Sequence, residues 1–449
     1  MKRFLIILLF AALVFSSVSY YQFAYRSTSG DSVIYAADLL TYVQKPDDSF
    51  KWEKASETNT PFGKGDVLKM TSQTWQGIPW THDLEIFRPA NLEYPKTAFL
   101  MVTFGKPGGM DSQGAALIAA NAGCTVAILY GIPNQPLYDG KREDALISYT
   151  FTKYLETKDA TWPLLFPMAK SAIRAMDAIQ AFSKSEWGDE ITGFVVSGAS
   201  KRGWTTWMTA AADPKRVKGI VPMVYDNLKL VAQMPHQVAS WGDYSVMIRD
   251  YTERGLPQIV ETEEGRDLAA TVDPWTYRER ITMPKLIING TNDPYWPQDA
   301  LNLYWDDLKG QKFVLYVPNG GHGLDDIMRV IGSATAFTRA VAAGSPLPQL
   351  SWLYGTSNGK QSLQITGESA NRSARLWTAK SESRDFRKSA WTSTDMTRSD
   401  KGFTGEFSLP DEGFLAVFGE AEVSMGGRNC NLSTQIRIFD SKGPVNPDV

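Results

Sequence analysis

Cysteine is almost missing from this chain. Cys124 and Cys430 are the only two among 449 residues, so at most one bridge can form and a disulfide scaffold is excluded. Cys124 lies in an apolar run and Cys430 far away near the end, which reads as two separate thiols. Histidine is as scarce, with only His82, His236 and His322. Neither sign of charge is in excess: 46 Lys+Arg against 49 Asp+Glu leave a formal charge of −3, and no basic footprint for nucleic acid. No H-E-x-x-H, C-x-x-C, Walker or G-x-G-x-x-G run occurs, so no metal, nucleotide or other cofactor is expected. Internal repeats and low-complexity tracts are missing too. What is plentiful is aromatic: 14 Trp, 18 Tyr and 21 Phe suit a large core, a carbohydrate-like cleft, or both. The remaining composition, 43% hydrophobic and 21% charged, is ordinary for a globular protein, and the length suits more than one domain.

Lys2-Arg3 precede twelve apolar residues, Phe4 to Phe15, followed by Ser16-Ser17-Val18-Ser19. A basic start, an apolar run of that length and small residues at Ser17 and Ser19 predict a signal peptide over residues 1–19, and hence a periplasmic or secreted protein. The competing expectation is an uncleaved anchor, since the next charge after Arg3 is Arg26. No cysteine follows the apolar run, which excludes a lipoprotein anchor.

Three regions follow. Residues 20–90 mix short polar and aromatic stretches, and Gly77–Phe87 alternates like a half-buried strand that stops at Pro89. Residues 96–340 carry short apolar runs at Thr97–Phe104, Cys124–Tyr130, Ile191–Ser197, Gly219–Val224, Pro284–Asn289 and Lys312–Val317. Helical stretches at Asp111–Gly123, Ala145–Ser183 and Gly203–Asp213 separate them. That pattern predicts buried parallel strands with helical crossovers, an α/β fold with a mostly parallel doubly wound sheet. The connection at about 226–281 is out of scale and reads as a lid-like insertion. From residue 347 the period changes to two, with a turn at Asn358-Gly359, predicting a C-terminal immunoglobulin- or fibronectin-like β-sandwich over 345–449 behind a Ser345-Pro346-Leu347-Pro348 linker.

The strongest chemical signal is Ile191–Trp204. An apolar strand enters Gly198-Ala199-Ser200 and passes at once into a helix, the layout of a nucleophile elbow. The backbone N–H of Lys201 then faces a developing oxyanion, helped by the positive end of the helix. The pattern departs from G-x-S-x-G: Arg202 holds the last glycine position and Gly203 follows it. A serine needs a base, and His322 alone follows the last strand of the α/β region, in Asn319-Gly320-Gly321-His322-Gly323. The orienting acid is expected after the preceding strand, where Asn292-Asp293-Pro294 supplies Asp293. The order Ser200, Asp293, His322 is that of the α/β-hydrolases, each residue at the carboxyl end of a predicted strand.

A second oxyanion donor is expected at Gly105 or Lys106, after the first long strand. Arg202 and Trp296 are candidate substrate contacts; the competing reading for Arg202 is a buried ion pair with an acid such as Asp144 or Asp177. His82 reads as a satisfied strand histidine. His236 in the insertion is expected to line the cleft or lie at the surface.

The runs Gly198–Trp207, Ile132-Pro133-Asn134-Gln135-Pro136-Leu137, Glu143-Asp144-Ala145 and Asn289–Trp296 together resemble the PhoPQ-activated pathogenicity-related protein family, which is itself similar to the autocrine proliferation repressors of social amoebae. The resemblance covers roughly residues 30 to 440. It implies an exported α/β-hydrolase with a β-sandwich tail, and it maps the nucleophile to Ser200, the acid to Asp293 and the base to His322. It implies no secure substrate: the amoebal relatives suggest peptidase or signalling roles, and fold neighbours include carbohydrate esterases and prolyl-type peptidases.

Three functions follow. The first is a serine hydrolase acting on an ester. The second is a dipeptidyl- or prolyl-type peptidase, for which Glu261, Glu263 and Glu264 could hold a free N-terminus, or equally form a solvated acidic face. The third is a non-catalytic signalling or adhesion protein on a hydrolase scaffold. The expected partner is a small-molecule or peptide substrate, with no nucleic acid, and a membrane only if the N-terminal segment stays uncleaved. Nothing in the sequence sets the oligomeric state.

Overall fold

The computed structural model describes residues 38–445, apart from 61, 358, 359, 368, 369 and 401. The expected signal peptide and the Asn358-Gly359 turn lie outside the described residues. Among those described, no helix is long and apolar enough to cross a membrane.

A short helical stretch over residues 38–44 precedes three antiparallel strands, β1 (Lys51–Thr60), β2 (Gly63–Trp75) and β3 (Ile78–Pro89). Strand β4 (Thr97–Val102) leads to helix α1 (Met110–Ala122), and β5 (Thr125–Leu129) leads to α2 (Glu143–Thr157) and α3 (Leu165–Trp187). These two helices were expected as one. Lys158 takes a left-handed conformation, φ 56°, that ends α2, and Pro163 has no N–H with which to continue it. Strand β6 (Gly193–Ala199), α4 (Lys201–Ala212) and β7 (Val217–Met223) follow. The insertion carries α5 (Leu230–Trp241) and α6 (Glu263–Val272), after which β8 (Lys285–Gly290), β9 (Lys312–Val317) and α7 (Ile327–Ala343) complete the body.

The spatial order is β1-β2-β3-β5-β4-β6-β7-β8-β9, parallel from β5 onward. This is an α/β-hydrolase sheet. The parallel strands β4 to β9 are buried at nearly every position because both faces of that part of the sheet are covered. Phe194 and Val196 point into a core shared with α2, α3 and α4, while Val195 points into the opposite core with α1 and α7. Both cysteines are buried free thiols, and burial pushes each up to about 12.

The C-terminal region is all β: β10 (Ser351–Ser357), β11 (Lys360–Thr366), β12 (Ala370–Ser381), β13 (Thr392–Asp395), β14 (Thr397–Ser399), β15 (Gly402–Phe407), β16 (Phe414–Met425), β17 (Arg428–Ser433), β18 (Arg437–Asp440) and β19 (Gly443–Val445). One layer runs β10-β11-β15-β14. The other, containing β12, β16 and β17, joins the central sheet, because β17 pairs with β9 at Ser433 and Val314. The Ser433 hydroxyl also accepts from the Tyr316 N–H at 3.0 Å. The two layers approach closely at Gly419, where a Cβ would come within 2.6 Å of Ile365. The expected linker is packed rather than free, with Leu347 buried. A strand whose apolar pattern closes one core carries no mark of the edge it will pair with, which is why this continuity has no sequence signal.

Candidate active site

The carboxyl ends of β6, β8 and β9 gather the three residues singled out in the sequence. Ser200 sits between β6 and α4 at φ 58° and ψ −125°, a strained conformation for a residue with a Cβ. Its N–H donates to Met223 O of β7 at 2.9 Å, and its carbonyl accepts from Trp204 N–H at 3.0 Å. The flanking glycines explain the unusual pattern. A Cβ at Gly198 would lie 2.5 Å from Arg202 O, and one at Gly203 would lie 2.7 Å from Met223 O. The close approach to β7 therefore falls one position later than in G-x-S-x-G, leaving position 202 free to carry a long side chain.

Asp293 and His322 meet, with His322 Nδ1 and Asp293 Oδ2 2.8 Å apart. The other carboxylate oxygen of Asp293 accepts from Tyr295 N–H at 2.9 Å. Their two loops lie against one another at Gly290, where a Cβ would come within 2.4 Å of Gly320 O. The Tyr295 ring stacks on the imidazole at 4.1 Å. His322 is 24% exposed at its side chain, and its Nε2 is buried without a hydrogen-bond partner, so the link to the Ser200 hydroxyl is not closed. Catalytic hydrogen bonds in unliganded sites often close only around substrate.

Gly105 and Lys106 lie in the exposed turn after β4, with Gly105 at φ 88°. β4 pairs with β6 up to Val102 and Gly198, so this turn leaves the sheet beside the elbow. Lys201 is buried at the site, and its Nζ lies 3.1 Å from both Glu143 and Asp144.

Arg202 corrects the expectation of a substrate contact. It is 5% exposed and spends its guanidinium on protein groups: both amino groups bond Glu143 at 2.7 and 2.6 Å, Nε donates to Ile132 O at 2.6 Å, and the plane lies 5.2 Å from the Phe104 ring centroid. The competing reading, a buried ion pair, is what the structure shows, with Glu143 as the acid in place of the two examples. Asp177 is taken by Arg174 and Arg216, and Asp144 by Lys201 and the Tyr251 hydroxyl. Burial alone pushes the Glu143 carboxyl up, but the hydrogen bonds and charge of Arg202, with the charge of Lys201, hold it at about 2.

Trp296 does line a pocket. Together with Ser200 and Lys201 it borders a cleft of about 830 Å³ of empty space, mouth included. The insertion supplies most of the wall, including Met234, Ile248, Leu256, Val260, Leu268 and Ala269. Sequence reasoning placed a lid here but did not name its wall, because those residues read as ordinary helix core. Glu261, Glu263 and Glu264 are exposed and do not line the cleft. His236 is neither in the cleft nor at the surface: it is fully buried, with Nε2 2.8 Å from Asp299 and Nδ1 3.4 Å from Arg384 of the C-terminal region. Nearby Asp226 is raised to about 7 by burial, with the Tyr304 hydroxyl donating to it at 2.6 Å and Asp293 and Asp299 adding negative charge.

The segment between β12 and β13 buttresses both loops of the site. Asn292 Nδ2 donates to Ser389 O at 2.8 Å, and Asn319 exchanges bonds with the Trp391 backbone at 3.0 and 2.8 Å. Asn292 is next to Asp293 and Asn319 is three residues before His322, so the C-terminal region helps set where the pair stands. Among the described residues, no group of three or more His, Cys, Asp or Glu side chains is arranged to hold a metal ion.

Residues 39–387 match the family model described as PhoPQ-activated pathogenicity-related protein. The chain is 33% identical over 430 residues to autocrine proliferation repressor protein A of Dictyostelium discoideum, spanning 87% of this chain and 86% of that one. Among solved structures it is similar to acetyl xylan esterase 1 from Thermoanaerobacterium sp. JW/SL YS485, at 16% identity and TM-score 0.46 over 67% of this chain and 92% of that one. It is also similar to a glucuronoyl esterase from Solibacter usitatus, at 12% identity and TM-score 0.39 over 68% and 91%.

Proposed function

The chain belongs to the PhoPQ-activated pathogenicity-related protein family, and from that premise we propose that it is an exported serine hydrolase acting on esters. The observation that carries the reading is the Asp293–His322 pair at 2.8 Å beside a strained serine elbow that opens on a cleft. In the proposed cycle Ser200 Oγ attacks the ester carbonyl and His322 Nε2 takes its proton. Asp293 orients the imidazole and stabilises its charged form. The N–H of Lys201, with Gly105 or Lys106, donates to the oxyanion. The C–O bond to the alcohol then breaks, and the alkoxide leaves with the proton from His322. Water attacks the acyl-serine by the same route and releases the carboxylic acid.

The same reading keeps two parts, a hydrolase body over 20–344 with its insertion at 226–281, and a C-terminal sandwich of immunoglobulin or fibronectin type over 345–449. Export rests on the basic and apolar start of the sequence. Peptidase action on free N-termini loses support from the exposed Glu261, Glu263 and Glu264, and from the engagement of Glu143 and Asp144 by Arg202 and Lys201. One observation favours a non-catalytic signalling scaffold: the Ser200–His322 link is open. Labelling with a small alkyl fluorophosphonate decides. The full chain labels at Ser200 and Ser200→Ala does not; folded wild-type protein that fails to label sinks the enzyme reading.

A further inference from the structure

The cleft beside Ser200 has two halves of different character. At its neck the polar groups are bonded to one another: Lys201 Nζ to Glu143 and Asp144, and the Tyr251 hydroxyl to Asp144 at 2.9 Å. Trp204 lies stacked on Tyr225 with ring centroids 4.9 Å apart, and its indole N–H is spent on Val272 O at 2.7 Å. Beyond the neck the wall comes from α5, α6 and the turns between them, and its side chains are aliphatic or thioether: Met234, Ile248, Leu256, Val260, Leu268 and Ala269. The unpartnered polar atoms among the cleft residues, Tyr225 Oη, Asn227 Oδ1 and Trp296 Nε1, stand at the neck side rather than on that wall, and they are too few for a sugar.

The position of the imidazole gives the cleft a direction. Ser200 and Lys201 line it, and His322 does not. In acyl transfer the departing oxygen has to lie next to His322 Nε2, which supplies its proton. The Tyr295 ring lines the cleft and stacks on His322, so this reading assigns the leaving alcohol to the His322 side of that ring. The group that enters the cleft is the one left bonded to the serine.

We infer that this pocket is an acyl pocket for a bulky apolar acid, a medium-length alkanoyl or an aryl-alkanoyl group, and that acetyl leaves it largely empty. The inference rests on the ester-hydrolase reading above and adds the substrate class to it. Acylation forms the Ser200 Oγ–carbonyl bond and expels the alcohol with the His322 proton. Water then releases the apolar acid. An apolar methylene transferred from water into such a wall contributes about fourfold in kcat/KM, until the space is filled.

The test varies the two sides of the ester separately. A series of p-nitrophenyl esters from acetyl to decanoyl keeps the alcohol fixed, and a series of acetates with growing alcohols keeps the acyl group fixed. The expected result is a rise of about fourfold per methylene along the first series, and a nearly flat second series. Ala269→Phe, which fills the wall, is expected to lower the octanoyl-to-acetyl ratio of kcat/KM by about tenfold or more. A flat or falling acyl series from protein that labels at Ser200 overturns the acyl pocket and leaves the hydrolase standing. A rise confined to the alcohol series assigns the cleft to the leaving group and overturns it as well. Folded protein that neither labels nor hydrolyses any ester removes the hydrolase reading, and this inference with it.

Discussion

Two histidines in this protein each stand near a serine, and only one of the two places looks like an active site. In the antiparallel strands, His82 is 4% exposed, and its Nε2 lies 3.0 Å from the Ser72 hydroxyl, which in turn lies 2.9 Å from Ser171. At the carboxyl rim of the parallel strands, His322 has a carboxylate on Nδ1, an aromatic ring on its face and an adjoining cleft, but no closed bond to Ser200. Burial decides the first case: it pushes His82 down to about 4, so the imidazole stays neutral and serves as a packed polar link. A serine–histidine contact alone therefore says little. What sets the rim apart is the acid behind the imidazole and open space in front of the serine.

The most severe break of this comparison is the pair His322→Ala and His82→Gln. Ester hydrolysis is expected to fall about 10⁴-fold or more in the first and to persist in the second, measured as kcat/KM on one ester. Equal losses would remove the distinction between the two regions. Next is Arg202→Ala, which takes the bidentate partner from the half-buried Glu143 carboxylate but leaves it Lys201 and Gln135: stability to urea is expected to drop by about 2 kcal/mol. Selectivity between neutral and anionic esters should stay the same, whereas a change in it would return Arg202 to the substrate.

The pH dependence sharpens the contrast by a similar or smaller amount. His82 takes up a proton near pH 6.5 when unfolded and only near pH 4 when folded. Its neutral burial thus contributes stability above about pH 6.5 that is lost as pH falls through about 4, by about 3 kcal/mol at most. His82→Gln is expected to flatten the melting temperature over that interval. Glu143, held at about 2, acts lower down: its stabilisation is present above about pH 4.5 and is lost as pH falls toward 2. Acid unfolding of His82→Gln should then be steepest below about pH 4.5, and a steep fall already at pH 6 would contradict the assignment.

Much of the scaffold was legible because a parallel sheet covered on both faces demands uninterrupted apolar strands, and six such runs lie within two residues of β4 to β9. The elbow was legible for a similar reason, since only glycine tolerates the approaches made at 198 and 203. Arg202 stayed open between two readings because a guanidinium suits a substrate carboxylate and a buried acid equally well, and residue types cannot say which is within reach; Glu143 is. The cleft wall went unnamed because Val260, Leu268 and Ala269 look the same in a sequence whether they close a core or border a cavity.

The amino-acid order by itself set the strand and helix periods, the strained turn at Ser200, and the succession of serine, acid and imidazole along the chain, since each depends on neighbours a few residues apart. Only the tertiary structure decided that Glu143 occupies Arg202, that β17 docks on β9, and that residues 386–391 hold the loops carrying Asp293 and His322. Those outcomes join groups tens to hundreds of residues apart, and which of many chemically equivalent partners is chosen depends on how the packed layers bring their surfaces together.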